Sequence, residues 1–402
     1  MYKSNFSGAK RRPSSGGFRR SGSPHSNSRG RRGPAKQDIH PSKFVKAAIP
    51  VEELIYTALN KFSDFELHDR LKENIIHKGF ITPSRIQDET IALALTGRDI
   101  VGIANTGTGK TAAFGIPVLN KIALDKTKKA LIIAPTRELA MQIGEELRSF
   151  GGGLGVFSAL LIGGTPMRPQ LSALQRNPNI VIGTPGRIKD HIERKSLNLL
   201  HFDTIVLDEV DRMLDMGFII DIRFILERMA QPRQSLFFSA TMDSKISTLI
   251  DTFSKDPARI TTSQGITSDH VEQNVVYVEA NETKHSKLHD LLLSEEIKKV
   301  LIFDETKHGV EKLGKELVAR GFKADALHGG KSQGQRKRAL DKFRNNEINI
   351  LVATDVAARG IDVADITHVI NYTTPQTYDD YIHRIGRAGR AGRKGYALTF
   401  IN

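Results

Sequence analysis

From about residue 60 to its end the chain alternates short apolar runs with helix-length amphipathic stretches, and this rhythm restricts the fold more than any other feature. Several runs are apolar at consecutive positions, so they read as strands buried on both faces, as a parallel sheet between two helix layers requires. The runs "DIVGIA", "KALIIAP", "VFSALLIGG", "NIVIGTP", "TIVLDEV" and "SLFFSAT" come first; "NVVYVEA", "VLIFDET", "ADALHGG", "ILVATDV", "HVINYTT" and "YALTFIN" follow. Between the two sets the polar stretch "TTSQGITSDH" at 261–270 breaks the rhythm and is predicted to be a linker. The expectation is an α/β protein of two similar domains in tandem, 60–260 and 271–402, after an N-terminal extension over 41–59. A chain of 402 residues suffices for two domains that each bury a core.

Residues 1–40 are built differently. They hold ten Lys and Arg against Asp38 alone, a net +9 of the chain's formal +14, and are rich in Ser and Gly with almost no aliphatic residues. Such a segment cannot bury enough apolar surface to offset its ordering entropy, so it is predicted to be disordered. Its arginine-glycine character reads as an electrostatic arm for a polyanion, against the plainer reading of a solubilising tail, with Phe6 and Phe18 available to stack on bases. The sequence contains no cysteine, which excludes disulfides, thiolate metal sites and thiol nucleophiles. No apolar run approaches the ~20 residues of a membrane span and the N-terminus lacks a signal-peptide core, so a cytoplasmic protein without a membrane partner is expected.

The stretch "VGIANTGTGKTAAF", residues 101–114, is the most explicit chemically. A buried strand, a glycine-rich turn and an amphipathic helix in that order make a phosphate-binding loop, whose consecutive backbone N–H groups converge on anionic oxygens at a helix N-terminus. Gly107 and Gly109 fill the tight inner positions, while Ala104 ends the strand in ordinary extended backbone, where a methyl need not clash. Asn105, Thr106 and Thr108 complete the loop. Lys110 then reaches the β/γ-phosphates as a point charge, and the hydroxyl of Thr111 binds Mg²⁺. Ninety-eight residues beyond Lys110, "TIVLDEVD" delivers Asp208 and Glu209 at a strand's carboxyl end, in the crevice where open α/β folds bind ligands. Asp208 suits the metal, and Glu209 suits the base that orients an attacking water. By itself the loop signifies a nucleoside triphosphate and leaves the reaction open.

Around these elements lie "GFITPSRIQ" (79–87), with Phe62 eighteen positions before Phe80, "PTREL" (135–139), "TPGR" (184–187), "SAT" (239–241), "ATDVAARGID" (353–362) and "HRIGRAGR" (383–390). With the phosphate loop and "DEVD" (208–211) they form eight strings in order, and together they resemble the DEAD-box family of ATP-dependent RNA helicases. The resemblance implies two RecA-like domains, ATP and Mg²⁺ as cofactors, and RNA as partner. The family's usual loop also begins with alanine, so Ala104 is a match. Gln87 becomes the reader of adenine, a role that suits an amide able both to donate and to accept; Phe80 stacks on the base, and Phe62 belongs to the same nucleotide site. Arg387 and Arg390 match the family's arginine fingers, which reach from the second domain to the γ-phosphate. Such a finger is worth roughly 10³–10⁵ in rate, or about 4–7 kcal/mol of barrier, so hydrolysis is expected to wait for domain closure. Asp362 would touch the ribose, and Asp211, Ser239, Thr241 and His383 resemble the polar network that couples hydrolysis to closure.

The RNA contacts implied by the resemblance are Pro135, Thr136, Arg137, Gly164, Thr184, Gly186, Arg187 and Thr354. Most lie in loops that open helices, where N–H groups and arginines hold phosphates without reading bases, and where contacts to 2′-hydroxyls separate RNA from DNA. Two departures stand out. Val210 replaces the family's alanine, and "FDETKHG" (303–309) puts Asp304 and Glu305 where a neutral residue and an acid or asparagine are usual, so no RNA role is carried over there. Family members usually continue with another helix beyond the strand "YALTFIN". The expected activity is RNA-stimulated ATP hydrolysis coupled to closure and local unwinding of short duplexes by a monomer, with the basic arm raising local RNA concentration and meeting ribonucleoprotein partners. The rival readings are a DNA-directed translocase, an ATP-gated RNA clamp without productive unwinding, and a P-loop kinase. The last lacks an acceptor-binding signature.

Overall fold

The structure, a computed structural model, describes residues 39–48, 56–105, 107–262, 271–279, 281–358, 363, 365–389 and 394–401. The N-terminal lobe is a seven-stranded parallel sheet in the order β3-β4-β2-β5-β6-β1-β7. Its strands are β1 (Ile100–Ile103), β2 (Ala130–Ile133), β3 (Ser158–Leu161), β4 (Ile180–Gly183), β5 (Thr204–Leu207), β6 (Gln234–Ser239) and β7 (Ala258–Thr261). Strands β2, β4 and β5 are buried at every position, because helices cover both faces. Successive side chains of β2 supply the two layers in turn: Ile132 packs in the cluster that holds Phe114 and Phe150, whereas Leu131 and Ile133 pack in the one that holds Val210 and Phe237.

The C-terminal lobe repeats this plan with six parallel strands in the order β10-β11-β9-β12-β13-β8. They are β8 (Val271–Tyr277), β9 (Val300–Phe303), β10 (Ala324–Leu327), β11 (Ile350–Ala353), β12 (His368–Asn371) and β13 (Gly395–Ile401). Since the strands within each sheet are parallel, all their carboxyl ends share one edge, and the loops leaving them meet there. Among the described residues no helix is long and apolar enough to cross a membrane.

All twelve runs read from the sequence contain a strand. Strand β7 is additional. It lies at the sheet edge against β1, and of its four residues only Ile260 is buried, so "ARIT" shows no apolar run. It also takes up Thr261, the first residue of the expected linker, and Thr262 N–H still donates to the Ile103 carbonyl at 2.9 Å. Residues 39–48 form a short 3₁₀ turn, Pro41–Phe44, followed by a bridge between Lys46 and Gln273 of β8. This part of the N-terminal extension therefore packs on the C-terminal lobe.

Candidate nucleotide and nucleic-acid site

At the end of β1, Ala104 stays in the ladder, its N–H donating to the Ser239 carbonyl at 3.0 Å, and it is completely buried. Gly107 and Gly109 turn left-handed at φ +86° and +89°, and a Cβ on Gly109 would lie 2.2 Å from Gln87 Nε2. No side chain caps the helix Lys110–Leu124 that follows, which leaves its first N–H groups for an anion. Lys110 Nζ donates to the Ala104 carbonyl at 2.7 Å, and Thr108 Oγ1 to that of Asn105 at 2.9 Å. Ser84 and Gln87 hold the loop from the helix Arg85–Leu95: Ser84 Oγ donates to the Thr108 carbonyl and Gln87 Nε2 to the Gly109 carbonyl, at 2.9 and 3.2 Å. Gln87 Oε1 accepts from Ser84 N–H, so its amide keeps one N–H and one lone pair to spare. Phe80 is half-buried and meets Phe62 and Phe150 edge-on at 5.5 and 5.4 Å. Phe62, only 1% exposed, supports the Phe80 ring from within the core.

The acids stand at the end of β5, two strands from β1. Asp208 is buried, and that burial raises its pKa; the Lys110 charge works against the rise and Glu209 with it. Glu209 adopts a left-handed backbone, φ +55°, ψ +54°, a conformation that costs a non-glycine residue of order 1–3 kcal/mol and clusters at functional sites. Its carboxylate is ion-paired with Arg212 at 3.1 Å, both side chains nearly inaccessible. Asp211 ties β5 to β6: its Oδ2 accepts from Ala240 N–H, Thr241 N–H and Thr241 Oγ1 at 3.0–3.3 Å, and its own N–H donates to Ser239 Oγ. Val210 points the other way, fully buried in the apolar cluster, so its extra bulk fills core space beneath the acids.

On the other side of β5, the loops after β2, β4 and β3 gather. Thr136 caps the helix Arg137–Phe150, its Oγ1 accepting from Leu139 N–H. The Arg137 guanidinium lies against Gly163 and Gly164; a Cβ on Gly164, at φ +72°, would fall 1.9 Å from Nη1. Arg187, on the helix Pro185–Glu193 that follows Thr184 and contains Gly186, donates through Nη1 to the Thr165 carbonyl at 3.3 Å. Pro135, Thr136, Arg137, Gly164, Thr184, Gly186 and Arg187 thus share one stretch of sheet edge.

In the C-terminal lobe, Thr354 follows β11 and opens the turn Asp355–Ala358, its carbonyl accepting from Ala357 and Ala358 N–H. His383, Arg384 and Arg387 line a small cavity with Asp355 and Asp380. Arg384 grips Asp355 bidentately at 2.6 and 2.7 Å and donates to the Thr373 carbonyl. The lobes, which belong to one compact unit, also touch directly. Arg336 Nη2 pairs with Glu138 Oε1 at 2.8 Å, both side chains buried, and Lys337 pairs with Glu145 at 2.9 Å.

Residues 84–249 match the DEAD/DEAH box helicase family, and 283–392 match the helicase conserved C-terminal domain. The chain is 45% identical over 345 residues to the ATP-dependent RNA helicase CshA of Listeria monocytogenes, covering 85% of this chain and 66% of CshA. This chain therefore spans about two thirds of that relative's length. A DEAD box protein from Methanococcus jannaschii is 42% identical over 85% of this chain and 93% of its own, with a TM-score of 0.51. This chain belongs to the DEAD-box family. Its two sheets are RecA-like: S. cerevisiae Dbp5 bound to RNA and ADP BeF3 superposes with a TM-score of 0.75 at 30% identity, covering 85% of this chain and 89% of that one.

Within this DEAD-box chain the structure joins Gln87 to the phosphate loop, Asp211 to Ser239 and Thr241, and Arg137 to Gly164. Thr106, Asp362 and Arg390, like residues 1–38 with Phe6 and Phe18, lie outside the described residues. Four partners escaped sequence reasoning: Arg212 at Glu209, Asp355 at Arg384, and the pair Glu138–Arg336. Only the first had a local signal, opposite charges three residues apart at a helix start. The others join residues 29 and 198 positions apart.

Proposed function

We propose that the chain is an ATP-dependent RNA helicase in which RNA-stimulated ATP hydrolysis is coupled to closure of the two lobes and local unwinding of short duplexes. The observation that carries this reading is the division of one sheet edge. The ends of β1, β5 and β6 bear the uncapped phosphate loop and the buried acids, and the ends of β2, β4 and β3, immediately beside them, bear the arginine and glycine loops. A ligand crevice at the carboxyl edge is where open α/β sheets bind, and backbone-directed arginines beside it suit a nucleic-acid strand.

Coupling to closure is supported by the ion pair between lobes, because Glu138 directly follows Arg137 and so links the strand-binding loop to the second lobe. The chain also superposes better on the RNA-bound Dbp5 than on the Methanococcus protein, the reverse of their order in identity.

Lys110 and the loop Ala104–Gly109 hold the phosphates, Gln87 and Phe80 the adenine, and Asp362 the ribose. For Mg²⁺ the available donors fit: the Asp208 carboxylate and the Thr111 hydroxyl are hard oxygens, and one or two carboxylates beside substrate phosphates is the magnesium pattern. Burial disfavours the Asp208 carboxylate by more than the Lys110 charge offsets, so a further cation beside it would be favoured. Magnesium bound there supplies positive charge against the phosphate oxygens. Glu209 accepts the proton of the attacking water, with Arg212 setting the carboxylate's orientation. Arg387 and Arg390 complete the site from the second lobe, and His383 senses closure with Asp211, Ser239 and Thr241. RNA runs along Pro135–Arg137, Gly164, Thr184, Gly186 and Arg187, with Thr354 on the facing lobe; the basic arm adds affinity for RNA and its protein partners.

A steady-state ATPase assay with RNA, and with single-stranded DNA as comparator, tests this. RNA alone should stimulate. Equal stimulation by DNA would favour a translocase, and ATP-gated RNA retention without strand separation in a fluorescent duplex assay would favour a clamp.

A further inference from the structure

The segment 39–46 precedes the N-terminal lobe in sequence and docks on the other one. Phe44 is completely buried, its ring 4.7 Å from that of Tyr381 in an edge-on contact, in a cluster with Val271, Ile385 and Ala397. Lys46 and Gln273 exchange both backbone hydrogen bonds, at 3.0 and 2.8 Å, so the segment adds a short antiparallel bridge to the exposed side of β8. Gln273 in turn accepts a hydrogen bond from the Tyr381 hydroxyl at 2.9 Å. Tyr381 and Ile385 belong to the helix Tyr378–Ile385, which also carries His383 and Arg384, and Arg387 stands two residues past its end.

Further along, the chain is anchored on the N-terminal lobe. Tyr56 Oη, Leu59 N–H and Asn60 Nδ2 all donate to Asp88 at 2.7 Å, and Asp88 is the residue after Gln87. Ten backbone steps separate Lys46 from Tyr56, a reach of at most about 33–36 Å. That short tether keeps the docking segment at high local concentration beside its groove.

We propose that residues 39–46 position the helix Tyr378–Ile385, through Phe44 on Tyr381, so that Arg387 is presented to the nucleotide held beside Asp88. The proposal rests on the reading of Arg387 as the finger. Phe44 is buried in the apolar cluster with Tyr381, Ile385 and Ala397 and acts through that helix, as a positioning residue. Its effect falls on turnover, not on ATP binding, because the phosphate loop and Gln87 lie in the other lobe. Misplacing a catalytic group by about 1 Å costs on the order of a hundredfold in rate, which sets the scale.

The test is a double-mutant cycle in the full chain. Phe44→Ala should lower the RNA-stimulated kcat by about tenfold to a hundredfold and leave the KM for ATP unchanged, with Phe44→Leu restoring most of the loss. In an Arg387→Ala background the same change should cost nothing further, as expected of residues acting as a unit. Lys46→Pro removes the bridging N–H without touching the core, and Val45 already has the extended backbone a residue before proline requires, φ −117°, ψ +112°. It should reproduce the kcat loss if Phe44→Ala fails to fold. Unchanged kcat in both variants while Arg387→Ala is impaired would overturn the positioning role alone, as would losses that multiply in the double variant. An Arg387→Ala protein with normal turnover would overturn the finger reading and this proposal with it.

Discussion

The turn that leaves β1 and the turn that leaves β9 start from equivalent ground, an interior parallel strand followed by a helix, and do opposite things. After β1 two glycines take left-handed backbone and the helix begins with no side-chain cap. After β9 the helix Lys307–Ala319 is capped by its own chain: Thr306 Oγ1 accepts from Gly309 N–H at 2.9 Å, and Asp304 Oδ1 accepts from Glu305 N–H at 2.7 Å. A Cβ on Gly309 would lie 2.1 Å from Asp304 Oδ2, so a carboxylate occupies the space a phosphate needs. Helix N-termini attract anions only while their donors are free. The helix after β1 therefore begins without a side-chain cap, whereas the helix after β9 gives its Gly309 N–H to Thr306 and has a carboxylate against its first turn; in the function proposed above, the second lobe meets the nucleotide through Arg387, Arg390 and Asp362 instead.

The sharpest way to break that contrast is Arg387→Ala. It should lower kcat by roughly 10³–10⁵ while ATP affinity, measured by equilibrium titration, stays within a few-fold. A matching fall in affinity would mean that the C-terminal lobe also grips. Next comes Glu209→Gln, expected to cost about 10²–10⁴ in turnover and to trap an RNA-bound state with ATP binding intact; normal turnover removes Glu209 from the role of base.

Acid should act on the C-terminal lobe through His368, which burial lowers from 6.5 to about 4. The unfolded chain takes up that proton near pH 6.5 and the folded chain does not until near 4. Stability is thus whole above about pH 6.5 and falls as pH drops towards 4, by about 3 kcal/mol in all. Urea unfolding at pH 7.5 and 5 should show the slope, and His368→Phe should flatten it. The smallest effect belongs to Thr306→Ala, which should cost about 1 kcal/mol of stability as a lost cap and leave ATP affinity untouched. Weaker ATP binding in that variant would show that the turn after β9 shares in nucleotide binding.

Much of the site was legible because its signals are local. A phosphate loop is six to eight consecutive residues whose backbone shape depends on glycine, and Gly107 and Gly109 are in the conformations it demands. Strands buried on both faces announce themselves as unbroken apolar runs, whereas β7, which needs only Ile260 inside, does not. Asp211, Ser239 and Thr241 were grouped by resemblance, and their hydrogen bonds give that grouping a physical form. Gln87 shows the limit. Its type suggested adenine, but its bonds to Ser84 and Gly109 make it also a brace between a capping box and the phosphate loop.

What the sequence determined by itself is the set of elements and the residue types at their ends: parallel α/β layers, a glycine-rich loop before a helix, an acid pair at a strand end and a basic head. Each depends on periodicity or on neighbours within a few residues. The tertiary structure decided who faces whom. Strand order put β5 between the glycine-rich loop after β1 and the arginine and glycine loops after β2, β4 and β3, Arg384 was committed to Asp355, Arg336 to Glu138, and Phe44 crossed to Tyr381. Those contacts join residues far apart in the chain, and their partners are chosen by burial and complementary charge, which only folding brings within reach.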